Sequence, residues 1–455
     1  MKKNIDFNCC KTVSCANFAV SANKNKHAYI ENSTRFGYVA TACQLCGSNS
    51  PRVDNQLITA LLAEKIELHF GRKVVGCRKC QPHFFDGVQL ATRQYGFTSS
   101  GTVRKRCIQC QHVFTAANYK NKIALHAVLA SVIANVDAGE AVKSTGLSSR
   151  LYYFYLNQLA EIFSSFCRLN EQQKLYKQRL VMHTIGHVVN FKHQRRAYVL
   201  ITAEASSGYI LLQSSNLTQV ALAPEQAYSA LKDTRITDNL NLNLYQLIES
   251  HYQQNMNRQH FEELLIGKLN NITKCQQIYP SSVAYVHFQL LKVFTQKAEQ
   301  YAHYIKYESC LRSAALMAVA ADAKKGNAEV YYFQPFENGT ALDKLTGQKL
   351  GWWGDRWFSN KFGAYCSITT PQNTRGDLRL SERNSVNTFY DYLSKNMNKR
   401  LNSMTVIENL FEIHRVLFNF CEKKNGISRA QALGLLDKTL SPAALLDEAL
   451  QKLSI

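Results

Sequence analysis

Apolar and polar positions recur with different periods along this chain of 455 residues. Up to about residue 116, short β-like runs alternate with Gly, Asn and Ser turns, as in segment 95–103. From about residue 118 to 170 the spacing becomes helical, with Ile123 and Ala127 on one face. The polar segment 171–178 predicts a linker, after which the pattern changes again.

The region after this linker predicts strands and helices in a regular order. Three strand-like runs form a meander, a long helical section follows, and the chain then alternates strand, helix, strand and helix. This order fits an RNase H-like α/β fold with an inserted helical region. The predicted strands are 179–191, 196–203, 209–213, 302–307 and 329–333, and the predicted helical regions are 224–297, 309–325 and 385–450.

Positive charge is concentrated in the first part of the chain. The net charge is +21, and residues 1–122 hold 18 Lys and Arg against 6 Asp and Glu, a net charge of +12. Such an excess favours a polyanionic partner. No apolar segment of a secretory signal follows Met1-Lys2-Lys3, and no apolar run approaches the roughly 18 residues that span a bilayer. We therefore expect a cytoplasmic, nucleoid-associated protein with no membrane partner.

Cysteines cluster in the same basic region. Nine of the fourteen lie before residue 111, which in a reducing compartment indicates metal binding rather than disulfides. Two C-x2-C turns, Cys77/Cys80 and Cys107/Cys110, are separated by 26 residues. Each turn supplies two thiolates, so the pair predicts one tetrahedral zinc site.

A second zinc site is predicted nearer the beginning of the chain. The turn Cys43/Cys46 needs another pair of ligands, which Cys10 and Cys15 can supply, with Cys9 as an alternative to Cys10. Four thiolates leave no open coordination position for water, so both zinc ions are expected to be structural.

The segment 138–151 predicts a helix-turn-helix. Gly146 permits the turn, and Ser148 can cap the second helix. An ordinary helical hairpin, with Gly146 as a routine C-cap, is the alternative, but the basic ribbon before it favours DNA binding. The predicted buried stripe of the second helix is Leu147, Leu151, Tyr155 and Leu159.

Two sets of residues are predicted to contact double-stranded DNA. Cations beside the zinc ligands would be held in fixed places for phosphate contact. Residues on the outer face of the second helix would enter a major groove. The first set is Lys79, Arg104, Lys105 and Arg106, and the second set is Ser149, Arg150, Tyr153 and Asn157.

These features together predict a multidomain α+β chain with four units. The units are two small zinc ribbons, a helix-turn-helix DNA-binding domain, and an RNase H-like α/β domain that carries a helical insertion. Their predicted bounds are 1–48, 49–116, 118–170 and 178–455, with the insertion at about 224–297.

Three segments carry a resemblance to a known family. Residues 104–115 read RKRCIQCQHVFT, close to a phrase R-Y-R-C-x-x-C-x-x-x-F. Residues 411–420 and 427–435 read FEIHRVLFNF and ISRAQALGL, close to a closing segment Y-N-F … T-P-A-x-x-L-G-L. Residues 203–209 look like the hairpin after a second strand. In these segments the chain resembles bacterial insertion-sequence transposases of the zinc-ribbon, helix-turn-helix and Asp-Asp-Glu type.

The resemblance implies three carboxylates on the RNase H-like sheet, holding two Mg2+ ions for strand cleavage and transfer. Two would lie near the ends of the first and fourth strands, and the third on a late helix. In this chain His183 occupies the first position, and Lys306 or Glu308 occupies the second. Asp391, Glu382 and Glu408 all remain open for the third position.

Imidazole and ammonium groups are poor substitutes for carboxylates around a hard cation. We therefore predict a transposase-derived DNA-binding protein with a degenerate catalytic centre, acting as a regulator or architectural subunit. One alternative is an active transposase that uses Mg2+, which is expected only in that case. Another is a protein-interaction module of a larger nucleoprotein complex. A homo-oligomer is left open.

Two further clusters have a structural and a functional interpretation. His183, His187 and His193 form an imidazole cluster that could bind a metal, although polar residues on a strand edge and its turn are favoured. The three tryptophans could stack on bases, although a packing cluster is favoured. They are Trp352, Trp353 and Trp357.

Overall fold

The computed structural model describes most of the chain, and all structural statements below concern those residues. The described ranges are 6–22, 25–33, 39–70, 92–99, 101–115, 121–174, 179–191, 196–228, 243, 275–295, 298, 300–306, 308–335, 357–360, 363–369, 384–397 and 403–453. Within them the fold is mixed α+β with several sheets.

A seven-stranded sheet forms the centre of the fold. Strands β7, β8 and β9 are an antiparallel meander, β12 and β13 add in parallel beside β7, and the hairpin β14–β15 closes the other edge. The strands are β7 (Leu180–Asn190), β8 (Arg196–Glu204), β9 (Ile210–Ser215), β12 (Tyr301–Lys306), β13 (Ala328–Pro335), β14 (Trp357–Asn360) and β15 (Gly363–Ser367). The five strands predicted from the sequence are all confirmed, with small shifts of their ends.

Helices cover both faces of this sheet. Helix α5 (Pro280–Thr295) packs on one face, where His287 is hydrogen-bonded to Thr202 of β8. Helix α6 (Ser309–Lys324) packs beside α5. Helix α7 (Asn384–Asn396) packs on β7, where the Tyr390 hydroxyl donates to the Val188 carbonyl. The predicted helical end of the chain is confirmed, with α8 (Met404–Phe420), α9 (Arg429–Ala432) and α10 (Pro442–Leu453).

In the described part of the chain before the central sheet there are two small three-stranded sheets and four helices. The antiparallel sheets are β1 (Tyr29–Ser33), β2 (Val39–Cys43) and β3 (Asn49–Pro51), and β4 (Thr92–Phe97), β5 (Val103–Cys107) and β6 (Val113–Thr115). The helices are α1 (Asn55–Phe70), α2 (Lys122–Ile133), α3 (Ala138–Thr145) and α4 (Ser149–Lys174). Two further strand pairs are β10 (Leu217–Thr218) with β11 (Gln276–Gln277), and β16 (Lys423–Lys424) with β17 (Ile427–Ser428).

Helix α1 corrects the predicted bounds of the second ribbon. The prediction placed residues 49–116 in one zinc ribbon, but Asn55–Phe70 is a helix that belongs to the large core. Its buried residues Ile58, Leu62 and Ile66 recur at helical spacing and face α4 and α5. In this region, the small antiparallel sheet that is typical of a zinc ribbon therefore follows the helix, in strands β4 to β6.

The beginning of the chain is also part of the large core. The ring of Phe7 lies 4.9 Å from the ring of Tyr285 in α5. The Cys9 sulfur lies 3.2 Å from the Met317 sulfur in α6. Segment 1–48 is therefore not an isolated ribbon, because it packs on the helices of the central sheet.

The predicted linker at 171–178 is wrong at its beginning. Helix α4 runs to Lys174, and Glu171 within it is buried. Arg168 donates to Glu171 at 2.5 Å, and the Tyr209 hydroxyl donates to it at 2.9 Å. Glu171, the first polar residue of the predicted linker, is instead paired within α4 and with Tyr209.

Buried ion pairs join α1, α4 and α8. Lys65 of α1 pairs with Glu408 of α8. Arg415 of α8 binds Glu412 at 2.6 Å and lies 3.6 Å from Glu171 of α4. Removing one partner of a buried pair typically costs about 3–5 kcal/mol, so these pairs define how the three helices pack.

Candidate metal centre and nucleic-acid interface

Four cysteines converge at the beginning of the chain. The ligand atoms of Cys10, Cys15, Cys43 and Cys46 all lie within 4.8 Å of one another. The Cys10 and Cys46 sulfurs are 3.5 Å apart, and the Cys15 and Cys43 sulfurs are 3.8 Å apart. Four sulfurs at the zinc–sulfur distance of about 2.3 Å would be separated by about 3.8 Å in a tetrahedron. The cluster can therefore hold a metal ion, and its donor set suits zinc.

The alternative ligand Cys9 is not part of this cluster. Its sulfur points towards the carbonyl of Phe7 and the sulfur of Met317. Burial, which is the largest influence, raises the pKa of the Cys9 thiol to about 11. Of the two adjacent cysteines, Cys10 is the one placed to bind a metal.

Hydrogen bonds to sulfur act against burial in the cluster, although burial remains the largest influence on Cys10 and Cys15 and raises the pKa values of their thiols. The backbone N–H of Thr12 donates to Cys10, and that of Asn17 donates to Cys15, each at 3.4 Å. The Asn17 side chain donates to the Cys43 sulfur at 3.5 Å. Burial opposes ionisation of Cys43, but the bonds from Asn17 and nearby backbone N–H groups lower the pKa of its thiol to about 6.

The loop that carries Cys10 and Cys15 is held by Tyr29. The Tyr29 hydroxyl accepts from the Cys10 N–H at 3.0 Å and donates to the Val20 carbonyl at 2.6 Å. Tyr29 begins strand β1, which pairs with the strand that ends at Cys43. One tyrosine therefore ties the loop ligands to the strand ligands.

The second predicted metal site is described for half of its ligands. Cys107 ends β5 and Cys110 lies on the turn that follows it, whereas Cys77, Cys80 and Lys79 lie outside the described residues. The turn repeats the geometry of the first site. The N–H of Gln111 donates to the Cys107 carbonyl at 3.0 Å, as Gly47 does to Cys43 at 2.9 Å.

Both turns also need the same backbone conformation. Gln111 has a φ of 60° and Gly47 a φ of 67°, a left-handed region that non-glycine residues rarely adopt. The N–H of Cys107 bonds to the carbonyl of His112, as that of Cys43 bonds to Ser48. The Cys107 turn is therefore built to present two sulfurs in the same way as the Cys43 turn.

Helices α3 and α4 meet at a tight turn. Gly146 is left-handed with a φ of 65°, and it ends α3. The N–H of Leu151 donates to the Ser148 hydroxyl at 3.4 Å, in keeping with the predicted cap. Helix α2 packs on both α3 and α4, so the three helices form one bundle.

The first turns of α4 are rotated relative to the predicted stripe. The predicted core residue Leu151 is 44% exposed, whereas Tyr152 is buried and hydrogen-bonded to Ser131 of α2. Leu156 and Leu159 continue the buried face. The prediction missed Tyr152 because an aromatic residue with a polar hydroxyl can lie on either face.

The residues that were predicted to face a DNA groove differ in their exposure to solvent. Ser149, Arg150 and Tyr153 are exposed at the beginning of α4. Asn157 differs from the prediction, because its side chain is half-buried and accepts a hydrogen bond from Asn409 of α8 at 3.3 Å. Asn157 also donates to Glu161 at 2.9 Å, so its side chain is used within the protein.

The predicted phosphate contacts lie on strand β5. Arg104 is exposed, and Lys105 and Arg106 are half-buried. The Arg106 guanidinium lies 5.1 Å from the centre of the Tyr95 ring on β4. The sequence did not lead us to predict Tyr95 as a partner of Arg106, although the alternation of side chains along β4 and β5 is the pattern that places these two residues on one face.

The residue that the resemblance places at the first carboxylate position is a buried histidine. His183 on β7 is buried, with its ring edge-on to Phe333 at 5.5 Å. Burial, with a contribution from His187, lowers the pKa of His183 to about 4. His187 stacks on Tyr390 of α7 at 4.4 Å, so it too is used in packing.

The second position holds an ion pair. The Lys306 ammonium lies 3.1 Å from one oxygen of the buried Glu308 carboxylate. The Tyr198 hydroxyl lies 3.4 Å from the other oxygen. Tyr198 reaches Glu308 by crossing over Gly186, where a Cβ would overlap its hydroxyl. Glu308 is therefore paired with groups of the protein itself.

The two described candidates for the third carboxylate do not complete a site. Asp391 is exposed on α7, and Glu408 is engaged with Lys65 and Ser215. Glu382 lies outside the described residues. Among the described residues, the four-cysteine cluster is the one group in which three or more potential ligands converge. Lys306 and neutral His183 do not fit a Mg2+ ion.

The remaining predicted clusters fall largely outside the described residues. His193, Trp352 and Trp353 lie there, so neither the imidazole nor the tryptophan cluster is described as a unit. Trp357 begins β14.

Comparisons with protein-family models, with curated proteins and with solved structures found no match to this chain. Within the described parts of the chain, no helix has the length and apolar character needed to cross a membrane. The function must therefore be argued from the residues themselves.

Proposed function

We propose that this chain is a transposase-derived DNA-binding protein with a zinc-dependent fold and without strand-transfer activity. It would recognise double-stranded DNA through the β4–β6 ribbon and the bundle of α2, α3 and α4. It would then act as a regulator or as an architectural subunit.

The order of strands supports the RNase H-like assignment. A three-stranded meander is followed by two strands that add in parallel beside its first strand. Helices α5 and α6 lie between these strands along the chain, and α7 follows them on β7. The resemblance to insertion-sequence transposases implies this arrangement.

The observation that carries the DNA-binding proposal is the exposed beginning of α4. A tight turn at Gly146 precedes it, and Ser149, Arg150 and Tyr153 all face solvent. A helix presented in this way by a supporting bundle can enter a major groove. The arginine is suited to a bidentate contact with guanine.

The ion pair at Lys306 and Glu308 supports the loss of catalysis. A carboxylate that already binds an ammonium group, in a region shared with neutral His183, offers little to a divalent cation. The rival proposal, an active enzyme, requires that pair to separate. The interaction-module alternative depends on the insertion at 224–297, most of which lies outside the described residues.

DNA-site selection with matched variants tests the binding proposal. We expect Arg150→Ala to relax discrimination between selected and altered sites by about 1–3 kcal/mol at the contacted base pair. Lys143→Ala is the control, because it removes the same charge from an exposed position on α3. An unchanged site preference in Arg150→Ala would contradict the assignment of α4.

A further inference from the structure

The β4–β6 sheet has two faces of different chemistry. Side chains alternate between the faces along each strand, and paired residues lie on the same face. Arg93 pairs with Arg106, and Arg104 pairs with Thr115. This face, here called the arginine face, also carries Tyr95, whose ring the Arg106 guanidinium approaches. Arg93 was not among the predicted DNA contacts.

The opposite face is directed towards the predicted metal site. Lys105 pairs with Gln94 on one side and with Phe114 on the other. The buried ligand Cys107 is two residues further along the same strand, so its side chain shares the face of Lys105. Arg104 and Lys105 are therefore adjacent in sequence but point in opposite directions.

The arginine face places like charges opposite each other on neighbouring strands. Like charges directly opposite each other destabilise a sheet, yet Arg93 and Arg106 are paired across β4 and β5. Residues 92–115 contain four Lys and Arg and no Asp or Glu. Arg93 and Arg104 are exposed, as is nearly half of Tyr95. A partner that supplies negative charge relieves this repulsion.

We propose that the arginine face binds the phosphate backbone of double-stranded DNA, with Arg93 and Arg104 making phosphate contacts and Arg106 held in place by Tyr95. This inference rests on the proposed function and goes further, because it names the contacting face and leaves Lys105 outside it. Rows of guanidinium groups on adjacent strands suit successive phosphates.

The test measures how the affinity of the full-length, zinc-loaded protein for a mixed-sequence DNA duplex depends on salt. Each neutralised phosphate contributes about 0.9 to the slope of log K against log salt, so Arg93→Ala and Arg104→Ala should each lower the slope by about that amount. Lys105→Ala, the adjacent residue with the same charge, should leave the slope unchanged. Arg104→Lys should retain it, because the charge remains.

Several results would overturn the assignment. Equal losses of slope in Arg104→Ala and Lys105→Ala would show that the sheet has no preferred face. A loss in Lys105→Ala alone would place DNA on the opposite face, and tighter binding to a single strand would exclude the duplex backbone. Absence of duplex binding by the unmodified protein would overturn the proposed function itself. Zinc content and circular dichroism of each variant separate these outcomes from unfolding.

Discussion

Hydrogen bonds between hydroxyl and imidazole groups run through the interior of the central sheet. His303 is bonded to Thr184 at 2.6 Å, and His287 is bonded to Thr202 at 2.7 Å and to Ser214 at 2.9 Å. Burial is the largest influence on both rings and lowers the pKa of each to about 3. Both histidines are therefore neutral in the folded protein at pH values where an unfolded chain begins to bind protons.

This difference predicts a loss of stability in acid. The unfolded pKa is about 6.5 and the folded pKa is lower, so the stabilising effect is fully present above pH 6.5 and is lost as the pH falls towards 3. His303→Gln should reduce the pH dependence of the unfolding free energy, by little near pH 7 and by an amount approaching about 1.4 kcal/mol per pH unit near pH 5, where the unfolded imidazole is almost fully protonated. Urea unfolding at pH 7, 6 and 5 measures this. The same substitution at the exposed residue, His27→Gln, is the matched control.

Individual elements differ in how far the sequence predicts them. The strands of the central sheet could be predicted, because runs such as 196–203 are apolar and bounded by turns. The end of α4 could not, because Glu171 is stabilised by Arg168 and Arg415, and the latter lies far along the chain. For the metal site, spacing predicted all four ligands of the described cluster, but not its contact with α5 and α6.

The two cysteine sites should respond differently to loss of one ligand. Cys43→Ser should destabilise the whole core, because the first site is joined to α5 and α6 through Phe7 and Cys9. Cys107→Ser should unfold the β4–β6 sheet and leave the central sheet folded. Each variant should lose about one of two zinc ions, and a structural zinc can contribute about 10 kcal/mol or more to a small domain.

Metal analysis and hydrogen exchange distinguish these outcomes. Protection of α6 should fall in Cys43→Ser and persist in Cys107→Ser. Equal protection of α6 in both variants would contradict the prediction that the first cysteine site, and not the second, stabilises α6. Purified protein without zinc would contradict both sites.

On the scale of the whole molecule, the features proposed to bind DNA and the proposed degenerate centre lie in different places. The exposed beginning of α4 and the arginine face lie before residue 175, whereas the ion pair of Lys306 and Glu308 lies on the central sheet. With a net charge of +21, of which +12 lies in residues 1–122, the chain is suited to a polyanionic partner. We infer that the protein can bind DNA although it lacks strand-transfer activity, because the two functions depend on different parts of the chain.

One reaction tests this claim directly. A linear duplex that carries the selected site is incubated with the protein and Mg2+ or Mn2+, and the complex and the individual DNA strands are resolved from the same sample. Our account predicts a stable complex with intact strands, because Lys306 and His183 occupy the positions that the resemblance assigns to metal-binding carboxylates. Metal-dependent nicking or joining that disappears in Glu308→Gln would contradict it and make the protein an active transposase.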